Sequence, residues 1–223
     1  MISFRHPAKF DKEATLILID KDQVKNRNFP VIPKALKESV RHVLDAGQFA
    51  ADNGQLFPLI NGKQVVLLVG VGKKSDLSTT ALRLTLRGAL LSSYLKKVKD
   101  VEIIVHDPKD DVIKAAIEAA LIGTYVWEKY KTPDKNDTTV AKKHIFLAAA
   151  PKREYAQAAT ICEGVNLTRD LINDNADTIT SAYFEKTVRD LVKGKKNISL
   201  EVLNKKEMEK YGLGLHLAVN QGR

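Results

Sequence analysis

Val65-Val66-Leu67-Leu68-Val69-Gly70-Val71-Gly72-Lys73 is the stretch on which the reading of this chain turns. Five aliphatic residues in a row, three of them β-branched, suit a strand covered on both faces, because a half-exposed strand would alternate apolar with polar residues. The glycines behind it mark a tight turn. Ser78-Thr79-Thr80 then offers a helix cap ahead of Leu82, Leu86, Ala89 and Leu90 at helical spacing, in a helix expected to run to about Lys97. A buried strand that runs into an amphipathic helix is the repeating unit of a parallel sheet.

The same pattern recurs outward in both directions. Ala14 to Ile19, Val101 to Val105 and Ile145 to Ala149 read as further buried strands. Between them, Pro33 to Ala50 carries Leu36, Val40, Val43 and Leu44 on one face. Asp110-Asp111 opens another helix, with Ile113, Ala116, Ile117, Ala120 and Leu121 on one side and its acidic pair where a helix start favours negative charge. Lys131 to Lys143, with Pro133, Asp134, Asn136 and Asp137, reads as an exposed loop. The expected fold class is therefore α/β, a mostly parallel sheet flanked by helices.

Past Pro151 a long helical pattern runs from Glu154 to about Ile172, and Asn173-Asp174-Asn175-Ala176-Asp177 breaks it, since Asn and Asp compete with the helix for backbone hydrogen bonds. Ser181 is the expected cap of a helix through Val192 that Gly194 ends. A strand from Leu200 to Leu203, a short helix from Lys205 to Tyr211 and an apolar stretch from Leu213 to Val219 are expected to follow. These last elements hold too few residues to enclose a core of their own. The expected organisation is an α/β domain over 1–152, a linking helix and loop over 153–177, and an incomplete second α/β domain over 178–223.

Composition narrows the classes of function. Of 223 residues, 44% are hydrophobic and 28% charged, as in ordinary globular proteins. No run approaches the roughly 20 apolar residues of a membrane span, and Met1 to Pro7 lacks the apolar run of a secretory signal. One cysteine, Cys162, excludes an internal disulfide and fits a reducing cytoplasm. The net charge of +9 resides almost wholly in residues 1–100, with 17 Lys and Arg against 9 Asp and Glu, whereas the remainder carries 19 against 18. The basic residues are dispersed and form no run, which favours a solvated surface. A nucleic-acid-binding or nucleotide-binding α/β module is kept as the alternative, and nucleic acid binding would weaken steeply with salt.

No catalytic constellation is legible. Gly70-Val71-Gly72-Lys73-Lys74 misses the dinucleotide fingerprint at Ser75 and the phosphate-loop pattern at Lys74, so a turn that needs glycine for its backbone is the preferred reading. Histidines 6, 42, 106, 144 and 216 are scattered without metal-ligand spacing. His106-Asp107-Pro108-Lys109-Asp110-Asp111 reads as a turn and a cap. Cys162 lies within a helical apolar face and reads as a structural thiol. Tyr125, Trp127 and Tyr130 read as aromatics that pack a helix onto the sheet. The expected catalytic, cofactor-binding and metal residues are thus none.

Three stretches, taken in order, resemble the leucine aminopeptidase (cytosol aminopeptidase) family of two-metal exopeptidases. The first is Val65 to Lys73, similar to the family's strand ending in Gly-x-Gly-Lys. The second is Glu118 to Thr132, with Gly123-Thr124-Tyr125 and Tyr130-Lys131-Thr132. The third is Asn166-Leu167-Thr168-Arg169-Asp170-Leu171-Ile172-Asn173 followed by Ile179 to Phe184. Glu201 to Met208, Gly212-Leu213-Gly214 and Ala218 to Gly222 match further in order and spacing. One departure is Asn173 to Asp177, which lacks the prolines the family carries there.

The resemblance implies a macro-domain-like N-terminal α/β domain, a linking helix and the beginning of a catalytic domain. It implies a full-length protein that removes N-terminal residues from peptides with two divalent metals, zinc or manganese, as a cytoplasmic homo-hexamer. The family's metal ligands and catalytic residues lie further along than this chain runs. No such role passes to any residue here, and the chain by itself is expected to hydrolyse nothing.

Overall fold

A computed structural model describes residues 1–106, 108–132 and 142–219. Its contacts divide the chain into two compact units, Met1–Asp170 and Leu171–Arg223.

The first unit is built on six strands: β1 (Ile2–Phe4), β2 (Ala14–Ile19), β3 (Leu56–Asn61), β4 (Gln64–Gly70), β5 (Asp100–Ile104) and β6 (His144–Leu147). They lie in the order β1-β6-β5-β2-β4-β3. All neighbours run parallel except β3, which pairs antiparallel with β4 at one edge, Leu56 opposite Val69 and Asn61 opposite Gln64. The parallel, helix-flanked sheet expected from the four aliphatic runs is present.

Its helices are α1 (Lys21–Asn26), α2 (Lys34–Asp45), α3 (Thr79–Leu90), α4 (Asp110–Leu121) and α5 (Arg153–Asn173). Side chains alternate across a strand, and β2 shows the consequence. Leu16 and Leu18 join Leu67, Val69, Val101, Ile103 and Leu147 in a core covered by α3, α4 and α5. Ile17 and Ile19 join Val66 and Leu68 in a second core, covered by Leu36, Val40, Val43 and Leu44 of α2. Each fully buried aliphatic side chain contributes roughly 1.5–3 kcal/mol, so two filled faces account for why these four runs are almost wholly apolar, with Thr15 and Glu102 as buried polar exceptions.

Several local expectations are corrected. The helix expected to reach Ala50 stops at Asp45, where Ala46 and Gly47 turn the chain with Gly47 at φ +66°. The helix expected to reach Lys97 ends at Leu90 and is followed by a one-turn 3-10 segment, Ser93–Leu95. Three elements went unread: β1, α1 and β3. The expected loop from Lys131 to Lys143 lies mostly outside the described residues, including Pro133, Asp134, Asn136 and Asp137.

The second unit holds the last residues of α5, then α6 (Ser181–Val192), α7 (Lys205–Lys210) and α8 (Gly214–Val219). Thr180, not Ser181, caps α6: its side chain accepts from Tyr183 N, and Ser181 is the first helical residue. The expected strand from Leu200 to Leu203 does not form, and the segment is irregular. A strand needs a neighbour to satisfy its backbone, and no strand is described anywhere in this unit. None of α6, α7 and α8 buries a residue.

Candidate functional site

The carboxyl ends of the parallel strands gather the features that resemble a site. β2 leaves the sheet through α1 towards the α2 face, and Val24 of α1 packs on that core. Its neighbour β5 leaves through α4 to the opposite face. Strands whose connections diverge in this way open a crevice beyond their carboxyl ends, the usual place for a ligand in an open α/β sheet.

Three cavities line that edge. One of about 490 Å³, walled mainly by apolar groups, is bordered by His6, Val31, Ile104, Ala149, Lys152 and Tyr155. At its rim Asp110 Oδ1 accepts from Lys152 Nζ at 2.6 Å and from Tyr155 OH at 2.7 Å. The Lys152 and Tyr155 donors hold the Asp110 carboxyl below its ordinary range, and Asp110 in turn holds Lys152 above its own. Burial, helped by Asp110, pushes the Tyr155 phenol up. A second cavity, about 130 Å³, lies at the divergence itself, among Leu18, Gln23, Val71, Lys74, His106 and Asp111. A third, about 320 Å³, is bordered by Lys21, Asn53, Gly72 and Lys73.

The Gly70–Gly72 turn behaves as the sequence suggested. A Cβ on Gly70 would stand 2.3 Å from the backbone oxygen of Asp52, and Gly72 sits at φ +75°. Gly72 N donates to Ala51 O and Gly54 N to Gly70 O, so the 51–54 loop is stitched to the strand end. Only glycine permits that approach.

Sequence reasoning missed Glu102. Embedded in an aliphatic run, it is fully buried. One of its oxygens accepts from Arg5 Nε, Arg5 Nη2 and Lys9 N, and the other from Phe10 N. Arg5 also grips Asp11 and stacks on Phe146, 5.0 Å from the ring centre. The carboxylate thereby folds residues 5–11 over a part of the sheet that α2 leaves bare, and its role is structural. A charged residue inside a buried run was the available signal.

The Asn166-x-x-Arg169-Asp170 motif acquires a physical role. Asn166 Nδ2 donates to Leu121 O at 2.8 Å, and Arg169 Nη1 donates to Ile122 O at 3.0 Å. These carbonyls lie at the end of α4, where a helix leaves acceptors without internal partners. Arg169 also stacks on Tyr125, whose hydroxyl donates to Asp170 at 2.8 Å. Gly123 is required nearby, because a Cβ there would meet Ala119 O at 2.6 Å. Two stretches of resemblance are thus one contact, a clamp between α4 and α5. Tyr125 packs on α5 and not on the sheet as expected, and Tyr130 is exposed.

The remaining weighed residues stay apart. His144 bonds Ser3 Oγ, while His42 and His216 belong to α2 and α8. In the His106–Asp111 cluster, Asp107 lies outside the described residues. Cys162 is buried within the α3–α4–α5 core, and burial raises its thiol pKa, as befits a structural thiol. Among the described residues no group of three or more His, Cys, Asp or Glu could hold a metal ion. The donor set for the implied metal pair is not met by these residues. No described helix is long and apolar enough to cross a membrane.

Fold and site together define a class: an α/β domain with a doubly covered, mostly parallel sheet, tied by a clamped helix to the opening helices of another unit. Comparison with known proteins gives that class its family. Residues 16–134 match the model of the cytosol aminopeptidase family, N-terminal domain, and residues 166–223 match that of the same family's catalytic domain. The chain belongs to the cytosol aminopeptidase family, and it covers the N-terminal domain and the start of the catalytic domain.

Among curated relatives, a probable cytosol aminopeptidase of Protochlamydia amoebophila is 36% identical over 205 residues, 84% of this chain and 40% of that protein. One of Pseudomonas syringae pv. tomato is 33% identical over 201 residues, 82% of this chain and 40% of its own length. The chain spans about two fifths of the length of these relatives. Among solved structures, a mutant of tomato leucine aminopeptidase superposes with a TM-score of 0.67 at 17% identity, covering 95% of this chain and 46% of that one. The bottromycin maturation enzyme BotP, solved in complex with Mn, superposes with a TM-score of 0.57 at 18% identity over 82% of this chain and 36% of its own. At these identities the likeness is one of fold. The comparisons lend no support to the nucleic-acid or nucleotide module.

Proposed function

We propose that this chain is the non-catalytic front portion of a metal-dependent aminopeptidase that removes N-terminal amino acids from peptides. In this reading 1–152 is an accessory α/β domain, 153–177 the linking helix and loop, and 178–223 the beginning of the catalytic domain. The full-length protein would work in the cytoplasm as a homo-hexamer with two divalent metals, zinc or manganese. Two-metal hydrolysis needs carboxylates that bridge the ions and a water whose pKa they lower.

The observation that carries the reading is the order of the two family matches, with the catalytic one confined to residues 166–223. The helices of that segment bury no residue, which suits part of a domain rather than a whole one. The test is hydrolysis of leucine p-nitroanilide by this chain with added manganese or zinc. No turnover above the metal-only blank is expected. Turnover that depends on the chain and on metal, and that a chelator abolishes, would overturn it.

A further inference from the structure

His144 stands between two partners of different chemistry. Asp100, His144 and Ser3 lie on β5, β6 and β1, three neighbouring strands. Asp100 pairs with His144 in register, and Ser3 pairs with Phe146, two residues further along β6. Val101 and Ile103 of β5 and Ile145 and Leu147 of β6 point into the α3–α4–α5 core. Alternation therefore turns Asp100, His144 and Phe146 to the other face of the sheet, where Ser3 meets His144. Among the described residues, none from β1 or β6 belongs to the core that α2 covers on that face. The side chains of His144 and Asp100 are 31% and 44% exposed and Ser3 is half-buried, so solvent and a small molecule reach this end of the sheet.

The two ring nitrogens of His144 are differently placed. Nε2 is 2.9 Å from Ser3 Oγ, and Nδ1 is 4.0 Å from Asp100 Oδ1. A carboxylate on the Nδ1 side favours the tautomer that carries its proton there, which leaves Nε2 to accept from the serine hydroxyl. A nucleophile bonded to a base, with the base oriented by a third group, is the arrangement that covalent acyl transfer needs. It is recognised by geometry and not by order in the chain. The 4.0 Å separation is longer than a hydrogen bond, but such contacts are often loose without substrate and tighten around it. Phe146, its ring 4.1 Å from that of His144, gives an apolar surface beside the hydroxyl. Lys12 Nζ, 3.6 Å from Asp11 and 4.2 Å from the same ring, brings positive charge to the face for an oxyanion.

We propose that Ser3, His144 and Asp100 form a site that hydrolyses small carboxylic esters. Ser3 Oγ bonds to the carbonyl carbon as its proton passes to His144 Nε2. The bond from that carbon to the alcohol oxygen then breaks, and the alcohol leaves with the proton from Nε2. Water attacks the acyl-serine in the same way, which releases the carboxylic acid and returns the proton to Ser3. Asp100 is a positioning residue that holds the imidazole and stabilises its charged form. An open face grips nothing large, so the class is short-chain esters whose alcohol leaves readily. The step uses no metal and stands independently of the peptide cleavage proposed for the longer protein.

The test is hydrolysis of p-nitrophenyl acetate by the 223-residue chain with EDTA present. Turnover above the protein-free blank is expected. Diisopropyl fluorophosphate should label Ser3 of the unaltered chain, as located by peptide mass spectrometry. Ser3→Ala and His144→Gln should each lower kcat about a hundredfold or more, the typical share of a general base. Asp100→Asn should lower kcat and leave KM unchanged. Asp100→Glu, whose longer side chain reaches towards Nδ1, should recover most of the rate. The proposal fails if the chain gives no turnover or if the reagent labels another residue and not Ser3. It fails equally if folded Ser3→Ala, His144→Gln or Asp100→Asn turns over as the parent does.

Discussion

Glu102 shows how much a single side chain can organise. Without it, four donors from Arg5, Lys9 and Phe10 lose their acceptor, and residues 5–11 lose their attachment to the sheet. Glu102→Ala should lower the stability of the first unit by about 3 kcal/mol, the usual cost of removing one partner of a buried ion pair. Urea unfolding followed at Met1–Asp170 checks this, and a loss of only a few tenths would mean the segment is held by something else. Glu13 makes a more solvated counterpart. Its carboxylate accepts from Lys99 N and Asp100 N, which pulls its pKa below the ordinary value. A depressed folded pKa contributes stability that is present above the unfolded pKa of Glu, about 4.3, and lost as pH falls through the folded one. The stability difference between parent and Glu13→Gln should therefore be present at neutral pH and shrink on acidification below that range. A difference that does not change with pH would refute the assignment.

Between elements, the α4–α5 clamp is the contact the sequence could not have revealed, although every residue in it was quoted from the sequence. Asn166 and Leu121 are 45 positions apart, as are Asp170 and Tyr125, and no periodicity connects them. Local signals were legible where they repeat along one element. β2, β4 and β5 were found because both faces are buried, leaving runs that are almost wholly apolar, and β6 because Ile145 and Leu147 are buried to either side of Phe146. β3 was missed because it is an edge strand with Pro58 inside it and only Leu59 buried. α1 was missed although Asp20-x-x-Gln23 is a readable capping box. The strand expected at Leu200–Leu203 failed for the converse reason, an apolar run without a neighbour to pair with. If the clamp fixes α5, Arg169→Ala should speed amide exchange over the last turns of α5 within the first unit and at the end of α4, while β4 and β5 are unchanged. The expected stability loss is about 1–2 kcal/mol, from a charged hydrogen bond and a cation–π contact. Arg169→Lys should recover little of it, because an ammonium neither stacks nor presents the planar fork of a guanidinium. Uniform acceleration across the sheet would show instead that the clamp belongs to the global fold.

At the scale of the molecule, the two units differ in what holds them. Met1–Asp170 encloses two cores on either side of one sheet, with more than a dozen side chains fully buried in each layer or nearly so. Beyond Leu171 the helices are 6 to 12 residues long, and Tyr183, Phe184, Leu191, Leu215 and Val219 remain exposed. Helices shorter than about 12–15 residues are marginal in water unless packing supports them. Capping helps at the starts, through Thr180 for α6 and the Asn204–Glu207 box for α7, but a cap contributes only about 1 kcal/mol. Hydrogen exchange on the intact chain should therefore separate into two classes. Amides of β2, β4 and β5 should exchange only on global unfolding of the first unit, whereas those of α6, α7 and α8 should exchange through local opening, orders of magnitude faster. Adding a chaotrope at low concentration should slow neither class and should leave the second nearly unaffected, since little surface is buried there to expose. Protection in α6 equal to that in β4 would mean that the exposed apolar face is covered in solution. The self-association of the chain would then be the next quantity to measure, because an uncovered stripe of Phe184, Leu191 and Leu200 is the kind of surface through which copies associate.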